Sequence, residues 1–234
     1  MNIDVAVVMP VYNEESCVEN AILSILNQSD FENYILIIID DGSTDNTINI
    51  LHKYKNYQKI LIIQNNHNGI SYTLNTGLKK AFELNAKYIV RMDADDISLP
   101  GRLRHQFDYM ETYNYIDILS SSMNIMGTQN NLILQNHEIT IEMLMYGNFL
   151  LHPCIIMRTE SIRKKHPYLY ESSYDKAEDY KFYCTAILNK LRLFSESTIV
   201  LSYNQPKTDQ ISQKEISNKV KMWIRTEYLK MIKE

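Results

Sequence analysis

The sequence has few cysteines, no excess of positive charge and no long apolar run. Its three cysteines, Cys17, Cys154 and Cys184, are far apart and form no CxxC pair. This pattern indicates neither a disulfide framework nor a zinc site, and it fits a reducing cytosol. No apolar stretch approaches the length of a membrane span, and the N-terminal "MNIDVAVVMP" lacks the basic and apolar regions of a signal peptide. We therefore expect a protein that is soluble on the cytoplasmic side of the membrane.

The charge balance is slightly acidic. The chain has 24 Lys and Arg against 28 Asp and Glu, which gives a formal net charge of −4. Because Lys and Arg are scattered until the last stretch, no basic field draws the protein to nucleic acid, and we expect no such partner. With 45% hydrophobic residues over 234 positions, the composition is that of a globular protein with a sizeable core.

β-Branched runs alternate with helical patterns through the first hundred residues. The runs "DVAVVMPVY", "YILIIIDDGS", "KILIIQNN" and "KYIVRMDADD" predict strands, and the segments between them predict helices. Continuous apolar strands of this kind are typical of strands covered on both faces. The pattern therefore predicts an α/β fold with a mostly parallel, Rossmann-like central sheet and helices on both faces.

The pattern changes after Pro100. A helix through "LRHQFDYMETY" is followed by a hairpin around "GTQNN", the strand "CIIMR", a helix from about Glu178 to Asn189 and the strand "TIVLSYN". We therefore divide the chain into an α/β half at residues 1–100, a mixed half of the same domain at residues 101–210, and a basic C-terminal helix at residues 211–234.

Polar clusters follow all four predicted strands of the first half. They are "PVYNEE" from Pro10, "DDGSTD" from Asp40, "NNHNG" from Asn65 and "DADD" from Asp93. Ligands of open parallel sheets bind outside the carboxyl ends of the strands. All four clusters should therefore line one rim.

The cluster "DADD" carries the strongest chemical signal. Carboxylates that alternate as D-x-D can aim at one point, and a hard divalent cation prefers such oxygen ligands while it keeps positions open for a substrate phosphate. Asp93, Asp95 and Asp96 are thus candidate metal ligands, although they could instead cap the following helix. Asp40 and Asp41 could accept an N–H of a pyrimidine base, and ordinary turn chemistry is the alternative there.

Together, "PVYNEE", "DDGSTD" and "RMDADDISLPGRL" resemble, in order and spacing, the motifs of family 2 glycosyltransferases with the GT-A fold. The resemblance covers about Val5 to Ile187. It implies that the first half binds a nucleotide-sugar, most often a UDP-sugar, and that the second half shapes the acceptor site. It also implies a donor site in which Pro10, Val11, Tyr12, Asn13 and Glu14 surround the uridine and Asp41 contacts the uracil edge, with Asp40 beside it. In the same site Asp93 and Asp95, with Ala94 between them, form the D-x-D pair that holds Mn²⁺ or Mg²⁺ on the diphosphate. Asp96 either shares the metal or contacts the sugar.

A later match, "AEDYKFYCTAIL", is similar to the family's E-D motif, in which the Asp is the catalytic base. The resemblance implies this role for Asp179, with Glu178 orienting it or the acceptor. A carboxylate in the first turn of a helix lies in a positive field and should remain ionised near neutrality, as a base must. On local sequence alone, a solvent-facing charge pair at a helix start is the simpler interpretation.

Further positions match the family more loosely. "LHPCIIMR" implies that His152 approaches the donor phosphates or the acceptor, and "NGISYTLNTG" implies that Gly69 and Asn75 pack beside the nucleotide. His67 stands where Asn is common in the family. Arg91 could meet a phosphate or pair with a nearby carboxylate.

The acceptor is a matter of family analogy. The Q-x-x-R-W motif of processive polysaccharide synthases is absent, which favours transfer of a single sugar. The resemblance implies a glycan or lipid-linked oligosaccharide acceptor from a bacterial surface polysaccharide such as lipopolysaccharide or capsule. Tyr168, Tyr170 and Tyr174 could stack on sugar faces or cover the core. The basic tail could lie on an anionic membrane or pack its apolar side on the domain.

Three other functions share parts of this pattern. A phosphotransferase of the haloacid dehalogenase type normally places its D-x-D at the first strand. A sugar nucleotidyltransferase usually opens with a Gly-rich phosphate loop, which "MPVYNEES" lacks. The sequence leaves open a catalytically silent subunit that binds a nucleotide-sugar and assists a partner glycosyltransferase.

Overall fold

The computed structural model of the protein describes residues 3–166, 169–174, 176–205 and 210–231, and these form one mixed sheet of ten strands between two layers of helices. The strands are β1 (Val5–Val11), β2 (Tyr34–Asp40), β3 (Ile60–Gln64), β4 (Tyr88–Arg91), β5 (Ile97–Ser98), β6 (Ile118–Ile125), β7 (Asn131–Leu132), β8 (His137–Ile139), β9 (Ile155–Arg158) and β10 (Leu193–Tyr203). The helices are α1 (Val18–Leu26), α2 (Thr47–His52), α3 (Ile70–Glu83), α4 (Arg102–Thr112), α5 (Ile141–Leu144), α6 (Thr159–Lys165), α7 (Glu178–Leu188) and α8 (Gln210–Met231).

The first half of the sheet consists of parallel strands in the order β3-β2-β1-β4. All seven residues of β1 are buried, because helices cover both of its faces. The chain leaves β1 toward β2 on one side and returns from β3 to β4 on the other. The carboxyl ends of β1 and β4 therefore flank the topological switch point, which is where open α/β sheets bind ligands.

The second half of the sheet is mixed. β9 runs antiparallel to β4 and β6, β10 runs parallel to β6, and β5 pairs antiparallel with β10. The predicted hairpin is confirmed, since β6 and β7 pair antiparallel with Met123 opposite Leu132. β5 and β8 escaped prediction because strands of two or three residues carry too little periodicity. The predicted α/β class is confirmed, with parallel strands in the first half of the sheet and mixed strands in the second.

Alternate residues of the strands belong to two apolar layers, one on each face of the sheet. Val7 and Met9 of β1 belong to the layer that contains α1 and α4, whereas Ala6 and Val8 belong to the layer that contains α3 and α7. This alternation follows from the two-residue period of a strand. Each face of β1 is therefore fixed by its own helices, and the loop after β1 starts from a rigid base.

α8 packs one side against α5 and α7. Val220 and Ile224 are buried, and the ring centroid of Trp223 lies 3.7 Å from Lys181 Nζ. The predicted packing of the tail on the domain is thus present on this side. Among the described helices, none combines the length and the apolar character that crossing a bilayer requires.

Candidate active site

The four polar strand ends of the first half meet at one cavity of about 250 Å³ at the switch point. The expectation that they share a rim is confirmed. Ile70 and Thr73, at the start of α3, also face the cavity and were not predicted, because apolar and hydroxyl residues at a helix start carry no distinct signal. The lining residues are Pro10, Val11, Tyr12, Glu14, Asp41, His67, Gly69, Ile70, Thr73, Asp93, Ala94 and Asp95.

The loops after β1 and β2 interlock through side chains. Asn13 adopts a left-handed backbone with φ of 55°; its N–H donates to Ser43 Oγ at 3.0 Å, and its Oδ1 accepts from Thr44 N at 2.8 Å. Glu14 N donates to Thr47 Oγ1 at 2.8 Å. Asn13 therefore shapes the rim from outside the cavity lining, and it holds the two loops in register.

The two carboxylates of "DDGSTD" hold neighbouring loops. Buried Asp40 accepts from Ser43 Oγ at 2.5 Å and closes the turn after β2. Asp41 accepts from the backbone N–H groups of Asn68 and Gly69 at 3.0 and 2.9 Å. Of the pair, Asp41 faces the cavity and Asp40 does not.

An aromatic wall stands beside Asp41. His67 Nδ1 lies 3.0 Å from Asp41 Oδ2, and the His67 ring stacks on Tyr12 with centroids 4.1 Å apart. Gly69 adopts φ of 88°, a conformation that favours glycine, and this lets its N–H point at Asp41. His67, which departs from the family's usual Asn, thus has a defined place in the cavity wall.

The "DADD" cluster brings negative charge to the cavity: Asp93 and Asp95 line it, and Asp96 is fully buried outside the lining. One carboxylate oxygen from each of Asp93, Asp95 and Asp96 lies within 4.8 Å of the others. Burial, and next the charge of Asp93, raises the pKa of Asp96 to about 8. Burial, and next the charges of Asp95 and Asp93, raises the pKa of Glu14 to about 7. In the described part of the chain, buried Asp96 Oδ2 has no hydrogen-bond partner. These residues fit a hard divalent cation, which would satisfy that oxygen and offset the crowded charge.

Asn204 completes the cluster from far along the sequence. It follows β10, and its N–H donates to Asp96 Oδ1 at 2.9 Å while its Nδ2 donates to Asp95 Oδ2 at 3.3 Å. Sequence reasoning missed this residue. The available signal was the one used for the first four clusters, a polar residue directly after an apolar strand.

Two buried arginines support the strand end that precedes the cluster. Arg91 pairs with Asp93 through Nη1 and Oδ2, so of its two expected partners the structure shows the carboxylate. Arg102 Nη2 donates at 2.8 Å to the carbonyl oxygens of both Arg91 and Pro153. Arg102 was not predicted, and it ties β4 to the segment before β9. The two arginines therefore hold the end of β4, and with it the position of the "DADD" cluster.

Asp179 lies in the first turn of α7, beside Glu178, as predicted. Its Oδ2 accepts from Asn148 Nδ2 at 2.8 Å, and its Oδ1 accepts from Tyr180 N at 2.6 Å. Burial raises the pKa of Asp179, and the hydrogen bonds and the charge of Arg91 oppose that rise. The direction is opposite to that of the helix field alone. Both predicted members of the E-D motif are partly buried, so neither is a fully solvent-facing charge.

His152 and Asn75 lie outside the cavity lining. His152 is buried, and its two ring nitrogens face the hydroxyls of Tyr183 at 2.6 Å and Tyr170 at 3.2 Å. Burial holds its pKa well below the usual value, so the ring is neutral. Asn75 exchanges two hydrogen bonds with the backbone of Tyr170. Both nitrogens of His152 are thus engaged within the core, and its expected approach to the donor phosphates or the acceptor stays a prediction.

The aromatic segment after α6 contributes mainly to packing. Tyr170 is buried and stacks on Phe182 with centroids 4.6 Å apart. The Tyr174 ring centroid lies 5.2 Å from Lys181 Nζ. Tyr168 lies outside the described residues. Of the two interpretations of these tyrosines, the structure supports covering of the core for Tyr170.

The fold and this site define an α/β protein of the GT-A type, with a carboxylate cluster at the switch point of its sheet. The chain belongs to glycosyl transferase family 2, whose sequence model matches residues 6–173. It is 32% identical to an uncharacterised glycosyltransferase of Haemophilus influenzae, over 97% of this chain and 75% of that protein. The predicted family and enzyme class are confirmed.

Solved structures share the fold. The Staphylococcus aureus TarS fragment 1–349 in complex with UDP-GlcNAc matches with a TM-score of 0.77 and 23% identity, over 98% of this chain and 67% of that one. A mannosyltransferase of Pyrobaculum calidifontis in complex with GDP-Man and Mn²⁺ matches with a TM-score of 0.70 and 14% identity, over 100% of this chain and 65% of that one. This chain thus spans about two thirds of each of these solved chains.

Proposed function

We propose that the chain moves one sugar from a UDP-sugar to a hydroxyl group of a glycan or lipid-linked oligosaccharide, with inversion at the anomeric carbon. The observation that carries the proposal is the placement of Asp93, Asp95 and Asp96 at the switch point of a family 2 fold, with one carboxylate oxygen from each within 4.8 Å of the others. The TarS complex with UDP-GlcNAc and the mannosyltransferase complex with Mn²⁺ support it.

The donor nucleotide occupies the cavity at the ends of β1 and β2. Pro10, Val11 and Tyr12 provide its floor, and the stacked rings of Tyr12 and His67 provide an aromatic face for the base. Asp41 lies at the edge of the base. Its oxygens already accept two backbone hydrogen bonds, so Asp41 orients the loop that carries His67 and also binds the base. Asn13 and Asp40 act through the loops that they hold.

Asp93, Asp95 and Asp96 hold Mn²⁺ or Mg²⁺ in this proposal. When bound, such an ion supplies Lewis acidity at the diphosphate of the leaving group. The chain keeps the three carboxylates together against their repulsion: Asn204 donates to Asp95 and Asp96, and Arg91 pairs with Asp93.

Asp179 removes the proton from the attacking hydroxyl. The acceptor oxygen forms a bond to the anomeric carbon as the bond from that carbon to the UDP oxygen breaks. The hydroxyl proton passes to Asp179, and UDP leaves with the bonding electrons. Burial makes this carboxylate a stronger base than a solvated Asp, and Asn148 keeps it oriented. Attack opposite the leaving group inverts the carbon.

Release of UDP from a panel of UDP-sugars, with Mn²⁺, Mg²⁺ or EDTA, tests these roles in purified protein. Asp95→Asn should abolish metal-dependent turnover with the fold intact. Asp179→Asn should lower turnover by about 10²- to 10⁴-fold while UDP binding survives. Exposed Asp108→Asn, on α4, is the matched control and should behave as wild type.

A different result would contradict each of the proposed roles. Turnover that a chelator leaves unaffected would refute the metal role, and an active Asp179→Asn enzyme would refute the base. Tight UDP binding without turnover of any donor, with acceptors supplied, would favour the silent nucleotide-sugar-binding subunit.

The outward face of α8 supports a second element of the proposal, peripheral contact with the inner face of the cytoplasmic membrane. Met222 and Leu229 are 63% and 53% exposed, and exposed Lys219 and Arg225 flank them. Apolar side chains between cations are typical of helices that lie on anionic lipid. Such contact would bring the enzyme to a lipid-linked acceptor.

A further inference from the structure

Residues 145–150, which we term the acceptor loop, lie directly against the proposed base. They connect α5 to the His152–Cys154 turn. Asn148 Nδ2 donates to Asp179 Oδ2 at 2.8 Å, and Asn148 Oδ1 accepts from Leu150 N at 3.1 Å. One side chain therefore fixes the loop to Asp179 and also fixes its own backbone turn.

Both ends of the acceptor loop are anchored. Before it, Tyr180 Oη of α7 donates to the carbonyl oxygen of Leu144. After it, Leu151 N donates to Ser120 Oγ of β6 at 2.9 Å. The loop is thus a defined surface beside the base.

Two large aromatic side chains of this loop face solvent. Tyr146 is 73% exposed and stands two positions before Asn148, and Phe149 is 41% exposed and stands one position after it. Single exposed apolar residues are common on protein surfaces. Two aromatic residues that flank the residue bonded to a proposed base form a more specific arrangement, since each could contact a substrate that reaches Asp179.

The loop itself carries no positive charge that could pair with an anionic substrate. Residues 141–151 contain no Lys or Arg, and their one acidic residue, Glu142, accepts from Tyr228 Oη of α8 at 3.1 Å. A phosphorylated open-chain polyol would lose hydration from its phosphate on this loop without gaining a cationic partner from the loop itself. A neutral sugar ring carries no such cost.

We propose that the acceptor loop is the acceptor subsite, in which Tyr146 and Phe149 stack on the apolar face of a neutral pyranose whose hydroxyl points at Asp179. The C–H bonds on that face are weakly positive, and the faces of aromatic rings are negative, so the two attract. This inference rests on the proposed function and adds the class of acceptor to it.

The test compares acceptor kinetics of loop variants. UDP release is measured with the UDP-sugar that wild type uses, at increasing concentrations of neutral p-nitrophenyl hexopyranosides, and in parallel with ribitol 5-phosphate. Tyr146→Ala and Phe149→Ala should each raise the KM for the pyranoside by about 2- to 10-fold, the range for loss of one aromatic contact. Tyr146→Phe keeps the aromatic ring and should therefore have the wild-type KM for the pyranoside.

Tyr57→Ala is the matched control. Tyr57 is 52% exposed but precedes β3, at the amino end of the sheet, so its loss should leave the pyranoside KM unchanged. UDP binding on the same samples reports whether each variant keeps an intact donor site.

The possible results separate this inference from the function on which it rests. An unchanged KM in both alanine variants, a wild-type enzyme that no pyranoside stimulates, or stimulation by ribitol 5-phosphate alone would overturn the acceptor subsite. Failure of wild type to release UDP from any UDP-sugar would overturn the proposed function itself, and the subsite with it.

Discussion

At the scale of single residues, the surroundings of Asp179 set the strength of the proposed base. Burial raises its pKa most, and the N–H donors of Tyr180 and Asn148 and the charge of Arg91 lower it. Burial raises the pKa of Tyr170 and Tyr183, and the charge of Asp179 adds to that rise, so those hydroxyls stay neutral at working pH. Asn148 is the one of these partners that acts through an uncharged side chain, so a substitution can remove its hydrogen bond without deleting a charge.

Asn148→Ala should move the acid limb of the kcat profile to higher pH. The amide stabilises the ionised carboxylate, so its loss raises the pKa of Asp179, and the base is then protonated over a wider acid range. A shift of about one pH unit is expected for one hydrogen bond to a charged group. The measurement is kcat against pH, with exposed Asn56→Ala as control. A profile that overlays wild type would contradict the positioning role of Asn148.

The sequence predicted residues that lie in one continuous motif and missed those that the fold brings in. Asp93, Asp95 and Asp96 fall within four positions and follow an apolar strand, so the sequence alone predicted that their carboxylates lie together. Asn204 is 108 positions from Asp96 and became visible only once β10 was placed. His152 shows what a motif match leaves out, since the motif does not reveal that tyrosine hydroxyls face both ring nitrogens.

At the scale of elements, α3 positions one wall of the cavity through its close approach to the sheet. The helix carries Ile70 and Thr73 at its start, and Gly77 lies one turn further on, against β1 and β2. A Cβ at Gly77 would overlap Val8 and lie 2.8 Å from Ile39 Cδ1. Glycine at this position therefore permits the close contact between α3 and the sheet, although it lowers the helix propensity of α3.

Gly77→Ala should destabilise the protein despite the better helix propensity of alanine. Propensity favours the change by about 1 kcal/mol, but overpacking against two buried strands costs about 1 to 3 kcal/mol. We expect a lower midpoint in urea unfolding and weaker UDP binding, because α3 must move outward. Lys79→Ala, at an exposed position of the same helix, is the control. Equal stability of Gly77→Ala and wild type would show that the helix relaxes without strain.

Strands with continuous apolar runs were predicted closely, whereas β10 was predicted only in its second part. The run "TIVLSYN" marked its end, but β10 begins at Leu193 and includes Ser195 and Glu196. Those polar residues are buried and satisfied: Glu196 accepts from Ser121 Oγ at 2.5 Å and lies 2.9 Å from His105 Nε2. Hydropathy treats such residues as breaks in a strand, because their partners come from other elements.

At the scale of the whole molecule, the acceptor loop and α8 occupy the same side of the domain. α5, which leads into the loop, contacts α8 through the Tyr228 to Glu142 hydrogen bond. α7, which carries Asp179, also packs against α8. A lipid surface under the outward face of α8 would thus lie near the proposed acceptor subsite, as a lipid-linked acceptor requires.

Reversing two charges on this face should reduce binding to anionic vesicles. The double variant Lys219→Glu, Arg225→Glu is compared by co-sedimentation with phosphatidylglycerol and phosphatidylcholine vesicles. Each cation near an anionic surface contributes about 1 kcal/mol, so loss of two lowers the partition constant by about 30-fold before any added repulsion. Lys55→Glu, Lys79→Glu makes the same change in net charge at exposed positions of the nucleotide half and should bind as wild type does. Equal losses in the two double variants would mean that net charge, rather than α8, governs the interaction.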